Sequence, residues 1–325
     1  MDMSNNAELM LLDKAAVETL LQPDDVLRAV SEAFELHSRG EGRVFPVVRE
    51  ALSTGGVFGI KSGDVPVQGL LGFKAAGFWP GNRTVGGEPH QATVVLIDPA
   101  TGRPTCIMDG NAITTQRTGA AGGLGLLQLA RPGSRSVCVF GTGVQARIQL
   151  DFALRLMPSL REVGYVTHSG ERDAAFECLF AERCNIRHFN DRNAAVAGSD
   201  VVITATPGKG ALFDPEAVQP GTHLNCVGAD TAGKRELPDG LLSRVRLFVD
   251  DAGQARRIGE LQWTPETSCT EFGDLLTGRS RFDRTDAGIT VFDMTGLALQ
   301  DLTVARMLFQ RAGETGGGTR IPWPW

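Results

Sequence analysis

Four basic residues lie in apolar, strand-like or small-residue segments of the first 120 positions: Arg49, Lys61, Lys74 and Arg117. A cation buried in such a segment is costly unless an anion pairs with it. Each could pair with a structural Asp or Glu. Four together favour a carboxylate-binding pocket, because guanidinium groups bind carboxylates bidentately and ammonium groups supply a compact charge. Bulky neighbours of Lys74 would desolvate it and bring its proton within reach of chemistry.

A glycine-rich turn is typical of a dinucleotide-binding site, in residues 137–146, Val-Cys-Val-Phe-Gly-Thr-Gly-Val-Gln-Ala. A short apolar strand leads into Gly141 and Gly143, where backbone N–H groups can approach a pyrophosphate without a Cβ in the way. Ala146 stands where the third small residue belongs, and helical spacing follows it. Any strand–turn–helix junction could carry such glycines. A second strand at 163–167, at βαβ distance, favours the nucleotide site.

Two further polar residues, Asp230 and His90, lie next to predicted strands. From 135 to about 250 strands and helices alternate, which predicts a parallel sheet with ligands at the carboxyl ends of its strands. The loops at 204–208 and 228–234 follow such ends, so Asp230 could act as a general acid or base. Alternatively, Asp230 caps the next turn or pairs with Lys234. His90 could contact a cofactor or simply stabilise a turn.

The elements around these residues predict an α/β protein with two domains. The first half contains a helix at 26–37 and strand-like segments at 44–49, 56–61, 70–79, 93–98 and 104–108, which indicate a mixed or antiparallel sheet. A helix at 113–129 carries four glycines, each costing about 1 kcal/mol relative to alanine, so a ligand or the neighbouring domain is expected close to its surface. A last strand at 291–296 precedes a helix at 297–310, and residues 315–325 look loop-like.

Composition excludes several classes of function. The chain has 325 residues, a net charge of −6 and 42% hydrophobic residues, which suits a globular protein without a nucleic-acid surface. The first residues lack a signal-peptide pattern and no apolar run approaches a membrane span, so we expect a cytoplasmic protein that binds no membrane. Six scattered cysteines and five scattered histidines predict buried thiols and no metal site.

Seven collinear segments resemble the ornithine cyclodeaminase/mu-crystallin family over nearly the whole chain. They are residues 45–49, 72–74 with 79–82, 96–102, 113–121, 141–146, 228–230 with 233–237, and 296–301. The resemblance implies NAD(P)-dependent chemistry at the Cα–N bond of an amino acid, through an imine. It also implies a homodimer with a mixed α+β substrate and dimerisation domain (1–130 plus 301–325) and a Rossmann-type domain (131–300).

The resemblance also implies roles for individual residues. Arg49, Lys74 and Arg117 would hold the substrate carboxylate and polarise the imine, and Asp230 would be the acid/base. Lys61 departs from the family pattern, and its own charge predicts an added substrate contact. Gly141, Gly143, Gln145 and Ala146 would lie under the cofactor, NAD(H) or NADP(H). From their positions in the glycine turn, at the ends of later strands and before a strand, the sequence predicts further cofactor contacts at Val144, His168, Ser169, Arg172, Thr204, Ala205, Thr206, Val227, Gly228 and His90.

Substrate and cofactor choice stay open. Lys61-Ser62 stands where many relatives have Met-Pro, and this extra cation suits a second carboxylate, so the chain looks most like the iminosuccinate reductase branch. Pro89 stands where many relatives have Ser or Thr before His90-Gln91. The alternatives are cyclodeamination of ornithine to proline and ammonia, and dinucleotide binding without turnover. After the second strand, Ser169 and Arg172 could accept a 2′-phosphate, while Glu171 could reach a ribose.

Overall fold

The computed structural model describes residues 7–284 and 288–324. The described chain divides into two compact units, called here the N-terminal unit (7–117 and 297–324) and the central unit (118–284 and 288–296). The first division falls within a helix, Gly110–Leu129. The domain boundaries at 130 and 300 stay a prediction, because compactness alone does not establish an independently folding domain.

The N-terminal unit is built on a mixed eight-stranded sheet. Its strands, numbered along the whole chain, are β1 (Glu8–Leu12), β2 (Arg43–Val44), β3 (Val48–Ala51), β4 (Val57–Val65), β5 (Leu70–Phe78), β6 (His90–Ile97), β7 (Pro104–Asp109) and β16 (Thr319–Pro322). Its helices are α1 (Lys14–Leu20), α2 (Pro23–Ser38), the beginning of α3 (Gly110–Leu129), and α9 (Ala298–Thr315). The order is β16-β1-β7-β6-β5-β4-β2, with β3 also on β4, and β1 runs parallel to β7.

The sheet is of the predicted mixed kind, but some of its strands differ from the prediction. β1 was not predicted, and the loop-like prediction for the tail was wrong, because Thr319–Pro322 pairs antiparallel with β1. The predicted strand at 44–49 is two strands, since Pro46 lies between them and lacks the N–H that a ladder needs.

Helix α9 packs on β4, β5 and β6 of this sheet. Two glycines make the close approach possible. A Cβ on Gly72 would lie 2.9 Å from Leu302 Cδ2, and one on Gly42 would lie 2.7 Å from Leu299 Cδ1. The fit brings the first turn of α9, with Gln300 and Asp301, against the sheet. Asp301 suits that turn because a helix N-terminus attracts negative charge.

The central unit is a parallel sheet with helices between its strands. Its strands are β8 (Ser136–Phe140), β9 (Glu162–Val166), β10 (Asn185–His188), β11 (Val201–Thr204), β12 (His223–Cys226), β13 (Arg246–Val249), β14 (Thr270–Glu271) and β15 (Thr290–Asp293). Its helices are the rest of α3, α4 (Val144–Leu156), α5 (Ala174–Phe180), α6 (Arg192–Ala197), α7 (Ala252–Ile258) and α8 (Phe272–Leu276). The order β10-β9-β8-β11-β12-β15-β13-β14 reverses between β8 and β11, which confirms the predicted Rossmann-type arrangement.

The glycines of α3 are explained within the central unit. A Cβ on Gly119 would lie 2.6 Å from Phe152, one on Gly122 would lie 1.9 Å from Gln149 Oε1, and one on Gly123 would lie 2.6 Å from Leu156. The neighbours that approach these glycines are therefore side chains of α4 and, beside Gly125, of β15, in place of the ligand that the sequence offered as one alternative.

The six cysteines are free. Cys106, Cys138 and Cys226 are buried as predicted, whereas Cys178 is exposed. No helix in the described part of the chain combines the length and apolarity that a bilayer span needs.

Candidate functional site

A buried ionic cluster lies in the N-terminal unit, where β5, α3 and α9 meet. Lys74 Nζ donates to Asp301 Oδ1 at 2.7 Å and to Thr114 Oγ1 at 3.2 Å. Arg117 donates from Nε to the same Asp301 oxygen at 3.2 Å and from Nη1 to Gln300 Oε1 at 3.0 Å. Thr114 and Arg117 share one face of α3 because they are three residues apart. Two of the predicted substrate residues are thus joined through one carboxylate.

Burial and charge set the protonation of this cluster. Burial lowers the pKa of Lys74 to about 7; Asp301 opposes this shift, while Arg117 and Lys61 reinforce it. Burial alone would raise the pKa of Asp301, but Arg117, Lys74 and Lys61 together hold it below its usual value. Lys74 can therefore change its proton near neutral pH while Asp301 stays ionised. Asp301 Oδ2 is buried and accepts no hydrogen bond from the described residues.

The other two predicted substrate residues lie on the same face of the sheet. Lys61 is directly opposite Lys74 in the register of β4 and β5. Arg49 pairs with Gly59, two residues before Lys61, and so projects to that face as well. A Cβ on Gly59 would lie 3.1 Å from Arg49 Nη1, so this glycine makes room for the guanidinium. Two positive charges directly opposite each other in a sheet, such as Lys61 and Lys74, repel, so this face favours binding of an anion.

His90 belongs to the N-terminal unit, at the first residue of β6. Its Nδ1 lies 3.1 Å from Asn111 Oδ1, and Asn111 Nδ2 donates to Glu88 Oε2 at 2.9 Å. Burial lowers the pKa of His90, and the charge of Lys74 lowers it further, so the imidazole is neutral at pH 7. Both ideas from the sequence, a cofactor contact and a local hydrogen-bonding role, stay open for it.

The glycine turn of the central unit has the features that a bound pyrophosphate requires. Gly141 has a φ of +97°, and a Cβ there would lie 2.8 Å from Ala205 O. Gly143 is the N-cap of α4 and offers no capping side chain, so first-turn N–H groups of the helix stay available. Gln145 Oε1 is buried without a hydrogen-bond partner among the described residues. Ala146 is buried in the core, as a third small residue should be. These residues fit a dinucleotide.

The ends of β11 and β12 are tied to one buried carboxylate. Glu236 accepts from Thr206 N and Thr206 Oγ1, both at 2.7 Å, from Thr204 Oγ1 at 2.7 Å, and from Gly228 N at 2.8 Å. Ala205 and Val227 lie in the same two loops. Five predicted cofactor residues are therefore brought together on adjacent strand ends.

The remaining predicted residues lie at exposed or half-exposed positions of the central unit. Asp230 Oδ1 accepts from Lys234 Nζ at 2.6 Å, which is the pairing that the sequence offered as an alternative. His168 and Ser169 are exposed after β9. Arg172 binds Glu177 through two hydrogen bonds, at 3.1 Å from Nε and 2.5 Å from Nη2. Val144 is exposed at the start of α4.

Known proteins share the sequence pattern and the fold of this chain. The model of the ornithine cyclodeaminase/mu-crystallin family matches residues 7–316. The chain belongs to this family. It is 32% identical to an alanine dehydrogenase of Archaeoglobus fulgidus, with 97% of this chain and 98% of the relative covered.

Two solved structures are similar over nearly their full length. One is an archaeal alanine dehydrogenase dimer with bound NAD, at a TM-score of 0.91 and 31% identity, covering 98% of this chain and 100% of that one. The other is the iminosuccinate reductase of Paracoccus denitrificans with NAD+, at a TM-score of 0.89 and 30% identity, covering 97% of this chain and 99% of that one. The Rossmann-type fold and the family resemblance drawn from the sequence are confirmed.

Several residues of these buried clusters were not assigned a role from the sequence. Asp301 and Gln300 close the family segment 296–301, Glu236 lies in the segment 233–237, and Thr114 lies in 113–121. The sequence did indicate their importance in one way, because each of them lies in a segment that resembles the family. Only the fold shows that Asp301 meets Lys74, 227 positions earlier in the chain.

Proposed function

We propose that this protein is an NAD(H)-dependent oxidoreductase that interconverts a small imino acid and the corresponding amino acid, with an acidic substrate such as iminosuccinate preferred. The observation that carries the proposal is the buried cluster of Lys74, Arg117 and Asp301 in a chain that also contains a dinucleotide turn. Bound NADH supplies a hydride from its nicotinamide C4.

The N-terminal unit supports binding of a carboxylate beside a reacting nitrogen. The guanidinium groups of Arg49 and Arg117 are suited to hold the carboxylate, Arg117 through the N–H groups that it does not give to Asp301 and Gln300. The ammonium of Lys74, with a pKa of about 7, can polarise the imine or exchange a proton with its nitrogen near neutral pH. Asp301 keeps Lys74 in place and partly charged. We keep the predicted acid/base role for Asp230. Its carboxylate would take this role once the hydrogen bond from Lys234 is broken.

The preference for an acidic side chain rests on Lys61. This ammonium lies opposite Lys74 and lowers its pKa, so the face carries more positive charge than one substrate carboxylate needs. A second carboxylate would relieve the repulsion between the two lysines, whereas the distal ammonium of ornithine would add to it.

NAD(H) is the cofactor that we propose over NADP(H). The similar alanine dehydrogenase and iminosuccinate reductase structures carry NAD or NAD+. In this chain Arg172, the residue suggested for a 2′-phosphate, is already paired with Glu177. Comparing NADH with NADPH in the assay below tests the choice.

The family includes proteins of other activities, and a substrate panel distinguishes them. NADH absorbance is followed with oxaloacetate plus ammonia, pyruvate plus ammonia, and cyclic imines, each with an ammonia-free or imine-free control. L-Ornithine with NAD+ is assayed for proline and ammonia. Ammonia-dependent NADH oxidation with oxaloacetate, faster than with pyruvate, is the expected result. Proline from ornithine without net NADH change would identify a cyclodeaminase instead, and NADH binding without any turnover would indicate a non-catalytic protein.

We also propose that the chain forms a homodimer. The similar archaeal alanine dehydrogenase is described as a dimer. Light scattering coupled to gel filtration should give twice the chain mass of 34.7 kDa, and a mass of one chain would contradict the proposal.

A further inference from the structure

Glu236 is a fully buried acid of the central unit that the proposed reaction does not use. Its four hydrogen bonds come from uncharged donors, two backbone N–H groups and two threonine hydroxyls. A buried carboxylate is expensive, so one that is kept with four donors is expected to fix something that an uncharged side chain could not.

The four donors belong to the ends of two neighbouring parallel strands. Thr204 is the last residue of β11 and Thr206 lies two residues beyond, while Gly228 lies two residues beyond β12. A Cβ on Gly228 would lie 2.4 Å from Glu236 Cδ and 2.4 Å from Thr206 O. The absence of a side chain at Gly228 therefore lets the carboxylate reach both loops at once.

Glu236 is itself held rigidly. Its N–H donates to Glu260 Oε1 at 2.6 Å, and its carbonyl accepts from Leu212 N at 2.9 Å. The preceding residue, Arg235, exchanges backbone hydrogen bonds of 2.9 Å with Gly208 and Gly210. The segment that carries the carboxylate is thus hydrogen-bonded to the chain that follows β11 and to Glu260.

We propose that Glu236 is a positioning residue for the nicotinamide half of the cofactor site, an inference that rests on the proposed dinucleotide function. In a doubly wound sheet the first strand, turn and helix take the adenosine and pyrophosphate side, here β8, Gly141 and α4. The strands beyond the reversal, here β11 and β12, take the other mononucleotide. Glu236 binds the loops that follow β11 and β12, which belong to that second half.

The isosteric substitution Glu236→Gln isolates this role. A carboxamide has one oxygen, so its NH2 group must face a backbone N–H, either that of Gly228 or that of Thr206, and one loop loses its anchor. Losing a hydrogen bond to a charged group in this way corresponds to a change of about tenfold or more in affinity. The expected change is confined to ligands that contact the nicotinamide half.

Isothermal titration calorimetry with NADH and with ADP tests the proposal on the full-length protein. Relative to wild type, Glu236→Gln should raise the Kd for NADH by about tenfold or more and leave the Kd for ADP within about twofold. The exposed Glu266→Gln in the same unit is the matched control and should change neither. An unchanged NADH Kd, or equal weakening of NADH and ADP, would overturn the positioning role, since general loosening affects both halves.

The same experiment separates this inference from the function on which it rests. A wild-type protein that binds no NADH would remove the dinucleotide function and the inference together. Wild-type binding with an unaffected Glu236→Gln variant would remove the inference alone. If Glu236→Gln does not fold, Thr204→Val, which deletes one donor without changing size, takes its place and is expected to weaken NADH selectively in the same comparison.

Discussion

Replacing Asp301 by asparagine should shift the pH dependence of catalysis rather than simply reduce it. The carboxylate lies 2.7 Å from Lys74 Nζ and raises the pKa of that ammonium against the effect of burial. At an effective dielectric constant of about 20, a charge pair at 2.7 Å is worth at most about 6 kcal/mol. Relaxation reduces this, and we expect a fall of about 2 pKa units, or roughly 2.7 kcal/mol.

The expected profile follows from the fraction of protonated Lys74. Since that pKa is about 7 with Asp301 present, Asp301→Asn should bring it to about 5. If the ammonium is the active form, the ratio of kcat/KM in the variant to that in wild type falls from roughly one-half at pH 5 to about one-fiftieth at pH 7, then levels near one-hundredth. Taking the ratio at each pH cancels the ionisation of the substrate.

The assay is NADH oxidation with the best imino substrate, measured from pH 5 to 9 in one buffer series. Asp64→Asn is the matched control, because it removes an aspartate from an ion pair with Arg43 in the same unit without touching the cluster. Its ratio should be flat. A flat ratio for Asp301→Asn, whatever its size, would refute the electrostatic coupling and leave Asp301 with a purely structural role.

Three further outcomes are expected. Lys74→Met should abolish turnover while leaving NADH affinity unchanged; retention of more than about a tenth of kcat, under roughly 1.4 kcal/mol of barrier, would remove Lys74 from the chemistry. Lys61→Met should raise the KM for a dicarboxylate substrate more than the KM for an alanine-like substrate, and equal increases in the two KM values would exclude the second-carboxylate role. Burial, Asp293 and Glu236 raise the pKa of Glu260 from 4.5 to about 8, so the folded state keeps a proton that the unfolded chain releases across this interval. Glu260 therefore lowers the free energy of unfolding as pH rises from 5 to 8, by up to about 1.4 kcal/mol per pH unit, and Asp293, whose pKa is raised to about 7, adds to this fall. In urea titrations the fall with pH should be less steep in Glu260→Gln than in wild type by up to that amount, and parallel slopes would show that Glu260 does not contribute.

The sequence predicts those parts of the fold that local patterns determine. The β8–Gly141–α4 turn follows from apolar residues, two glycines and a small residue at the right spacing, and it is present. Short edge strands carry little such pattern. β16 forms because β1 offers a free edge to Thr319–Pro322, and glycines before it suggested only a loop.

The cationic residues of the site were visible in the sequence, but their partner was not. A lysine in an apolar strand demands an anion, so Lys74 and Arg117 could be singled out before the structure was known. Which acidic residue pairs with Lys74 depends on how α9 packs against β5. This packing brings Asp301 to Lys74, 227 positions away in the chain. Glu236 is similar, since its four donors come from loops that only the parallel sheet brings together.

The most direct test of the proposed reaction is to follow the hydride itself. The protein is incubated with NADH deuterated at the transferable C4 position, oxaloacetate and ammonia, and the amino acid formed is analysed by mass spectrometry and proton NMR. The account predicts aspartate carrying one deuterium, located at Cα. Aspartate formed without deuterium at Cα, or deuterated malate as the only product, would contradict it.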